Sequence, residues 1–453
     1  MTIAAADSAA ARLSRDPITL DDLLENGQGV GRADGLVVFV SGGLPGEHVR
    51  IAVDAVKRNY ASAHVTSIEQ ASPARVAPIC PVFGRCGGCQ VMHLAYDAQL
   101  EWKRRMVGDA LQRLGGIADV AVDETVASPV EQGTRYRNKA GLVTRFAEGR
   151  MRLGFYEARS HRVVPIESCP VLLPRLDDAV KALIAMAQES PQPFSPARHV
   201  VARASATGPG LVIAFNGPKP NKAAGAYVDE IRRRIPEVTG VVTSWDLENE
   251  NALFGARSAT LWGSPMLQES VAGAVLRFGI ESFFQINTAV LELIATRVIS
   301  EFAGMRRVVD LYCGVATFAV ILGKRGIAGT GIEWFKPAAD ECAANAAANG
   351  VVNVAFEHAD AVEAVSGERG RTLLAGADGA ILDPPRKGCE PAVLEALAGS
   401  AVSRIVYISC NPATLARDAK LLVARGYRLA SVTPYDMFPQ TGHVEVLATF
   451  VRT

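Results

Sequence analysis

From about residue 281 to the C-terminus, short apolar runs alternate with Ala-rich segments of helical length, a pattern that points to an open sheet of parallel strands covered by helices. The polar residues fall at the strand ends. Val308-Val-Asp310-Leu-Tyr312-Cys-Gly314 is an apolar strand running into a glycine turn, and 317–322 opens the next helix. The strand at 327–332 ends in Glu333, a third ends at His358-Ala-Asp360, and a fourth, 379–382, enters Asp383-Pro-Pro-Arg386-Lys-Gly388. Two prolines remove backbone donors and stiffen that last turn. Segments 427–433 and 444–451 read as a closing hairpin whose final strand is antiparallel.

A carboxylate where Glu333 stands can accept both hydroxyls of a ribose, and Asp360 falls near where an adenine would be held. The turn Cys313-Gly-Val-Ala-Thr-Phe318 lacks the GxGxxG pattern that cradles a pyrophosphate. A cofactor with adenosine and no phosphate fits, so S-adenosyl-methionine and methyl transfer are expected ahead of a dinucleotide and hydride transfer. Tyr407-Ile-Ser-Cys410-Asn-Pro-Ala-Thr414 places one thiol at the end of a buried strand, in a polar turn, as a candidate nucleophile. Gln440-Thr-Gly-His443-Val-Glu445 then supplies a carboxylate, a candidate base, beside the last strand.

The 453 residues exceed what one core usually organises. We expect three domains, at 1–72, 73–280 and 281–453. Strand-like runs at 35–40, 47–56 and 61–68, punctuated by Gly and Pro, predict a small antiparallel barrel after a disordered leader at 1–15. Apolar residues at helical spacing predict an amphipathic helix over 96–114, ended by Gly115-Gly116. The stretch 125–280 is strand-rich, with Pro-rich breaks at 190–196 and 217–220. Lys plus Arg and Asp plus Glu both total 47, so no net field draws in a polyanion and local charge must do so. Eight Lys or Arg residues lie between 135 and 162, Arg135, Arg137, Lys139 and Arg145 among them, against Glu148 and Glu157. They are interleaved with Tyr136, Phe146, Phe155 and Tyr156, a mixture suited to phosphates and stacked bases. No apolar run reaches membrane-spanning length, and a soluble cytoplasmic protein is expected.

Four of the eight cysteines form a pattern: Cys80, Cys86 and Cys89 in a Gly-rich segment, and Cys169 in Glu-Ser-Cys-Pro. Four thiolates suit zinc or an iron-sulfur cluster, and the wide spacing with a remote fourth cysteine favours 4Fe-4S. The spacing differs from the CxxxCxxC of radical enzymes.

Taken together these motifs resemble the S-adenosyl-methionine-dependent RNA 5-methyluridine methyltransferases, especially the iron-sulfur type acting on 23S ribosomal RNA. Gly27-Gln-Gly-Val-Gly31 and Gly43-Leu-Pro-Gly-Glu47 are similar to the family's TRAM barrel. Phe284-Gln285-Ile-Asn287, Asp383-Pro-Pro-Arg386, Ser409-Cys-Asn-Pro412 and His443-Val-Glu445 match its catalytic motifs. The resemblance implies an OB-like TRAM barrel, a central α+β iron-sulfur domain and a C-terminal class I, Rossmann-like methyltransferase domain. The helix at 96–114 would pack on the last of these, and the protein would be a monomer. It further implies a cofactor site of Gln285, Tyr312, Thr317, Glu333, Asp360 and Asp383, and a 4Fe-4S cluster on Cys80, Cys86, Cys89 and Cys169. Cys410 would be the nucleophile and Glu445 the base, with Asp383 and Arg386 positioning the uracil. Ala316 and Thr317 depart from the family's usual Gly and Asn, and the added methyl of Ala316 is expected to narrow the approach to the cofactor. The alternatives are a T-loop uridine of transfer RNA as substrate, or an RNA-binding iron-sulfur protein without catalysis. A 5-methylcytosine enzyme would carry a Pro-Cys turn where this chain has Asp383-Pro-Pro.

Overall fold

The computed structural model describes residues 10–147, 150–189, 197–217, 219, 224–249 and 252–453. Packing divides the chain into two compact units, one of residues 1–102, 156–164 and 438–443, the other of 103–155, 165–437 and 444–453.

In the first unit, strands β1 (Ile18–Leu23), β2 (Gln28–Ala33), β3 (Leu36–Ser41), β4 (His48–Val56) and β5 (Tyr60–Gln70) close a barrel of order β1-β2-β3-β5-β4. The sequence signalled the last three strands. β1 and β2 escaped because acidic and glycine residues interrupt their alternation. Residues 10–13 form a helical turn and Leu13 joins Leu20, Val38, Val40 and Val49 in the barrel core, so the disordered leader expected over 1–15 does not extend to residues 10–15. Its first nine residues, Glu148 and the breaks at 190–196, 218 and 220 lie outside the described residues. Glu47, fully buried, accepts N–H bonds from Leu44 and Ser72 and a two-point contact from Arg75. Burial alone would push its carboxyl up, yet Arg75 and the two N–H groups hold it below the usual carboxylate range.

The predicted helix forms over Tyr96–Ala110 and ends in a wider turn, Leu111–Gly115, capped by left-handed Gly116. Val107 and Leu111 are buried in one cluster with Val309, Leu382, Tyr407 and Leu415.

The second unit holds most of a sheet formed by β6 (Lys139–Ala147), β7 (Arg150–Tyr156), β8 (Val163–Pro165), β9 (His199–Ala204), β10 (Leu211–Asn216), β11 (Gly240–Trp245) and β12 (Arg257–Gly263). Its order is β12-β11-β10-β9-β6-β7-β8. A hairpin follows, β13 (Met266–Val271) and β14 (Ala274–Gly279). The remaining strands are β15 (Arg307–Asp310), β16 (Ala328–Glu333), β17 (Val354–His358), β18 (Gly379–Leu382), β19 (Arg404–Ser409), β20 (Tyr427–Tyr435) and β21 (Glu445–Arg452). They make a sheet of order β17-β16-β15-β18-β19-β21-β20, parallel except for β21, which runs antiparallel to both of its neighbours. β18 is buried throughout and β19 nearly so, as a strand covered on both faces must be. Among the described residues no helix is long and apolar enough to cross a membrane.

Candidate active site

Strand register brings the polar strand ends together. Asp310 lies opposite Gly331 of β16 and Ile381 of β18, Leu382 opposite Tyr407, and Ser409 opposite Val446. Asp360, Glu333, Asp310, Asp383, Cys410 and Glu445 therefore follow one another along a single edge of the sheet, beyond the carboxyl ends of its parallel strands, where ligands of open α/β sheets bind.

On the β16–β15 side, Glu333 Oε2 accepts the Gly314 N–H at 2.9 Å and Oε1 the Phe335 N–H at 2.7 Å, which fixes its carboxylate against the turn after β15. That turn is left-handed at Gly314 (φ 57°) and again at Ala316 (φ 67°). Ala316 is wholly buried, so its extra methyl faces the protein interior, and the cost of departing from glycine falls on the backbone. Thr317 opens the following helix, Thr317–Gly323, and Tyr312 is half-buried. Asp360 caps Ala361–Val365 by accepting the Val362 N–H at 2.8 Å. Gln285 is buried. Its carbonyl takes an N–H from Asn138, and two residues on Asn287 caps the helix Thr288–Glu301.

Three carboxyl groups crowd this edge. Burial, then the charges of Asp383 and Glu333, push Asp310 up to about 8. Burial and Glu333 push Asp383 up to about 7. Such a cluster favours a cation. It fits the sulfonium and ammonium of S-adenosyl-methionine, and the edge offers no cradle for a pyrophosphate.

On the β19–β21 side, Cys410 is half-buried and is followed at once by the helix Pro412–Ala424, which Asn411 caps. Burial and the neighbouring Glu445 push the thiol up to about 11, while Arg386 pulls the other way. Glu445 is 2% exposed, and its Oε1 has no hydrogen-bond partner among the described residues. Burial and Asp383 push its carboxyl well up. The site thus sets the Cys410 thiol beside a buried carboxyl that holds its proton more tightly than an ordinary glutamate.

The basic candidates separate. Arg145 is exposed and lies across the strands from exposed Arg152, and Phe146 beside it is exposed. Arg135 reaches Asp177 at 3.5 Å and Arg137 Nε donates to the Lys139 carbonyl. Lys139 is half-buried over the Phe254 ring at 5.3 Å, and burial together with Arg203 and Arg137 pushes it down to about 7. Tyr136, expected among the stacking aromatics, is buried in the core. Arg386 is exposed, and Asn411 Nδ2 holds its carbonyl at 3.1 Å.

None of the eight cysteines is in a disulfide. Cys80, Cys86 and Cys89 belong to the first unit and Cys169 to the second. Cys86 Sγ accepts the Gly88 N–H at 3.4 Å, and burial pushes its thiol up. Among the described residues no three His, Cys, Asp or Glu side chains converge as ligands of one ion.

Residues 268–452 match the tRNA (Uracil-5-)-methyltransferase family, and residues 16–66 match the TRAM domain. An uncharacterized RNA methyltransferase of Halalkalibacterium halodurans is 34% identical over 95% of both chains. One of Thermosynechococcus vestitus is 38% identical over 95% of this chain and 96% of its own. The chain belongs to the RNA uracil-5-methyltransferase family. It is an S-adenosyl-methionine-dependent enzyme with an N-terminal TRAM barrel. Among solved structures it is similar to the tRNA (uracil-54, C5)-methyltransferase of Pyrococcus abyssi in complex with S-adenosyl-L-homocysteine, with a TM-score of 0.74, 25% identity and coverage of 96% of this chain and 100% of that one. In this family member two aromatics at the site went unnoticed in the sequence: Phe283, directly before Phe284-Gln285, and Trp334, directly after Glu333, each 67% exposed. The signal was the doubled aromatic, since Phe284 stacks on Phe278 and leaves Phe283 to face outward.

Proposed function

We propose that the enzyme methylates carbon 5 of a uridine in 23S ribosomal RNA through a covalent adduct between Cys410 and the uracil ring. The observation that carries this reading is the register of Cys410 beside Glu445, a buried carboxyl with one oxygen unpartnered among the described residues, with Arg386 and Asp383 close enough to shift both groups. Bound S-adenosyl-methionine supplies an electrophilic methyl group. Gln285, Tyr312, Thr317, Glu333, Asp360 and Asp383 would hold it.

Carbon 5 of uracil is a weak nucleophile. As thiolate, Cys410 adds to carbon 6, and the electron pair of the 5,6 double bond moves into an enolate that Arg386 stabilises while Asp383 helps to position the ring. Carbon 5 then takes the methyl group. Glu445 removes the proton left on carbon 5, the double bond re-forms, and Cys410 departs as thiolate. The net change is one methyl transferred and one proton released. Arg386 favours the ionised form that Glu445 needs for that step.

The cysteine set supports ribosomal RNA as the substrate. By donor type and spacing Cys80, Cys86, Cys89 and Cys169 suit a 4Fe-4S cluster, although no three of them converge here, and the Cys86 sulfur accepts an N–H bond of the kind cluster thiolates receive. We assign it a structural or RNA-facing part, with no electron entering the reaction. Likeness to a tRNA (uracil-54, C5)-methyltransferase over nearly the whole chain supports transfer RNA as the second reading. Incubation of anaerobically purified enzyme with labelled S-adenosyl-methionine and separate unmodified 23S and transfer RNA transcripts decides between them. Label in 5-methyluridine of the 23S transcript is the expected result, and label only in transfer RNA overturns the substrate assignment.

A further inference from the structure

The loop that carries Arg386 is gripped by the helix that follows Cys410. Along one face of Pro412–Ala424 and its cap, Asn411 Nδ2 and Thr414 Oγ1 donate to the Arg386 carbonyl (3.1 and 3.4 Å), and Arg417 Nη2 donates to the carbonyls of Lys387 (3.0 Å) and Cys389 (3.2 Å). Asp418 completes the grip. Its Oδ2 accepts the Cys389 N–H at 2.9 Å and the Tyr407 hydroxyl at 2.7 Å, while Oδ1 accepts Arg417 Nε at 2.8 Å. One carboxylate oxygen therefore ties the strand before the nucleophile to the loop that bears the cation. Gly388 marks how close the two elements come. It has φ +78°, and a Cβ there would lie 2.6 Å from Arg417 Nη2 and 2.7 Å from Asp418 Oδ2.

We propose that Asp418, with Arg417, is a positioning residue for catalysis: it holds the 383–389 loop, and with it Arg386, against the turn that carries Cys410. Asp418 is 2% exposed and touches no reacting atom, so it acts through Arg386. The proposal rests on the reading of Cys410 as the nucleophile. The charged groups facing that sulfur are Glu445 at the start of β21 and Asp383 and Arg386 on the loop after β18. Of these only Arg386 stabilises the thiolate, and it stands three residues from Cys389, where Asp418 holds the loop, whereas Asp383 directly follows β18.

The deciding readout needs no RNA. Alkylation of Cys410 by iodoacetamide, followed across pH by mass spectrometry of its peptide, reports the thiolate fraction in the whole protein. Asp418→Asn, near-isosteric, and Arg417→Met, at a largely exposed side chain, are compared with Lys420→Ala on the exposed face of the same helix. In variants that keep the wild-type melting profile, the midpoint of alkylation is expected to rise by about one pH unit. The rate below that midpoint then falls roughly 10-fold, with kcat for methyl transfer falling in parallel. Lys420→Ala should match wild type. A wild-type alkylation profile in folded Arg417→Met overturns the proposal even if methyl transfer is impaired. Conversely, the shifted profile in an enzyme that methylates no RNA would sink the functional reading and leave the positioning intact.

Discussion

Asn345 satisfies both backbone polar groups of Arg277: its Oδ1 accepts the Arg277 N–H at 2.8 Å and its Nδ2 donates to the Arg277 carbonyl at 2.9 Å. The pattern repeats on the helix Lys336–Ala348 and its cap. Asn349 does the same for Val275, and Glu341 accepts the Gly279 N–H at 2.7 Å. Four helical residues rise ~6 Å and two strand residues ~6.8 Å, so side chains at 341, 345 and 349 keep step with β14 at 279, 277 and 275. A helix thus closes the edge that β14 would otherwise expose. Asn345 also donates to the Val315 carbonyl at 3.0 Å, which ties this edge to the cofactor turn.

Asn345→Ala strands three backbone groups at once. The expected loss is about 2–4 kcal/mol, read from the urea midpoint, together with weaker binding of S-adenosyl-methionine in calorimetry. A loss under about 1 kcal/mol with unchanged affinity would show that water replaces the side chain and that the cofactor turn stands alone.

The crowded carboxyls make cofactor binding a proton-linked event. Asp383, pushed up to about 7, sits above its unfolded value, so the folded form holds an extra proton between that value and about pH 7. Its contribution to stability is present at low pH and is lost as pH rises through about 7. A cationic ligand reverses the preference by favouring the carboxylate. Affinity for S-adenosyl-methionine should therefore rise with pH through about 7 and level off above about 8, where Asp310 is ionised as well, with proton released on binding. Titration calorimetry at pH 6 in two buffers of different ionisation enthalpy checks this. Equal heats in both buffers would mean that no proton moves.

How far the sequence carried these conclusions depended on which residues broke a periodic pattern. Asp310, Glu333, Asp383 and Cys410 stand where apolar strands end, and period-two and helical alternation locate such ends well, so these strand-end groups were legible while Phe283 and Trp334 were not. Nor were Asn345 and Asp418. Polar residues on a helix read as its solvent face, and only the partner backbones at Arg277 and Cys389, far away in sequence, reveal that they are buried. Tyr136 failed for the opposite reason. An aromatic among arginines reads as a stacking platform, yet the strand turns it into the core. Even the two barrel strands that were missed follow this rule, since Glu25-Asn-Gly-Gln-Gly interrupts them with turn residues.

The Lys103–Asp436 pair is wholly buried, with Nζ 2.5 Å from Oδ1. Removing one partner of such a pair leaves an uncompensated charge, whereas removing both need cost little. Lys103→Met is expected to lose about 3–5 kcal/mol in urea unfolding, and Lys103→Met with Asp436→Asn to recover most of it. If the double variant is no better than the single, the lysine's packing and not its charge holds the helix in place.

The division of labour between Cys410 and Glu445 predicts opposite traces on a denaturing gel. Cys410→Ala removes the only atom proposed to bond to uracil, so turnover and RNA trapping should both vanish while the fold and cofactor affinity hold. Glu445→Gln keeps the volume of a side chain that is 2% exposed but cannot take a proton. Addition and methyl transfer then proceed, elimination stalls, and a methylated protein–RNA adduct should accumulate as turnover falls by about 100-fold or more, the lower range for losing a general base. Because burial and Asp383 hold the Glu445 carboxyl well up, the native enzyme should also retain more adduct as the pH is lowered. An adduct-free Glu445→Gln enzyme that still turns over would assign the proton to another base. Adduct formation by Cys410→Ala would place the nucleophile elsewhere on the sheet edge.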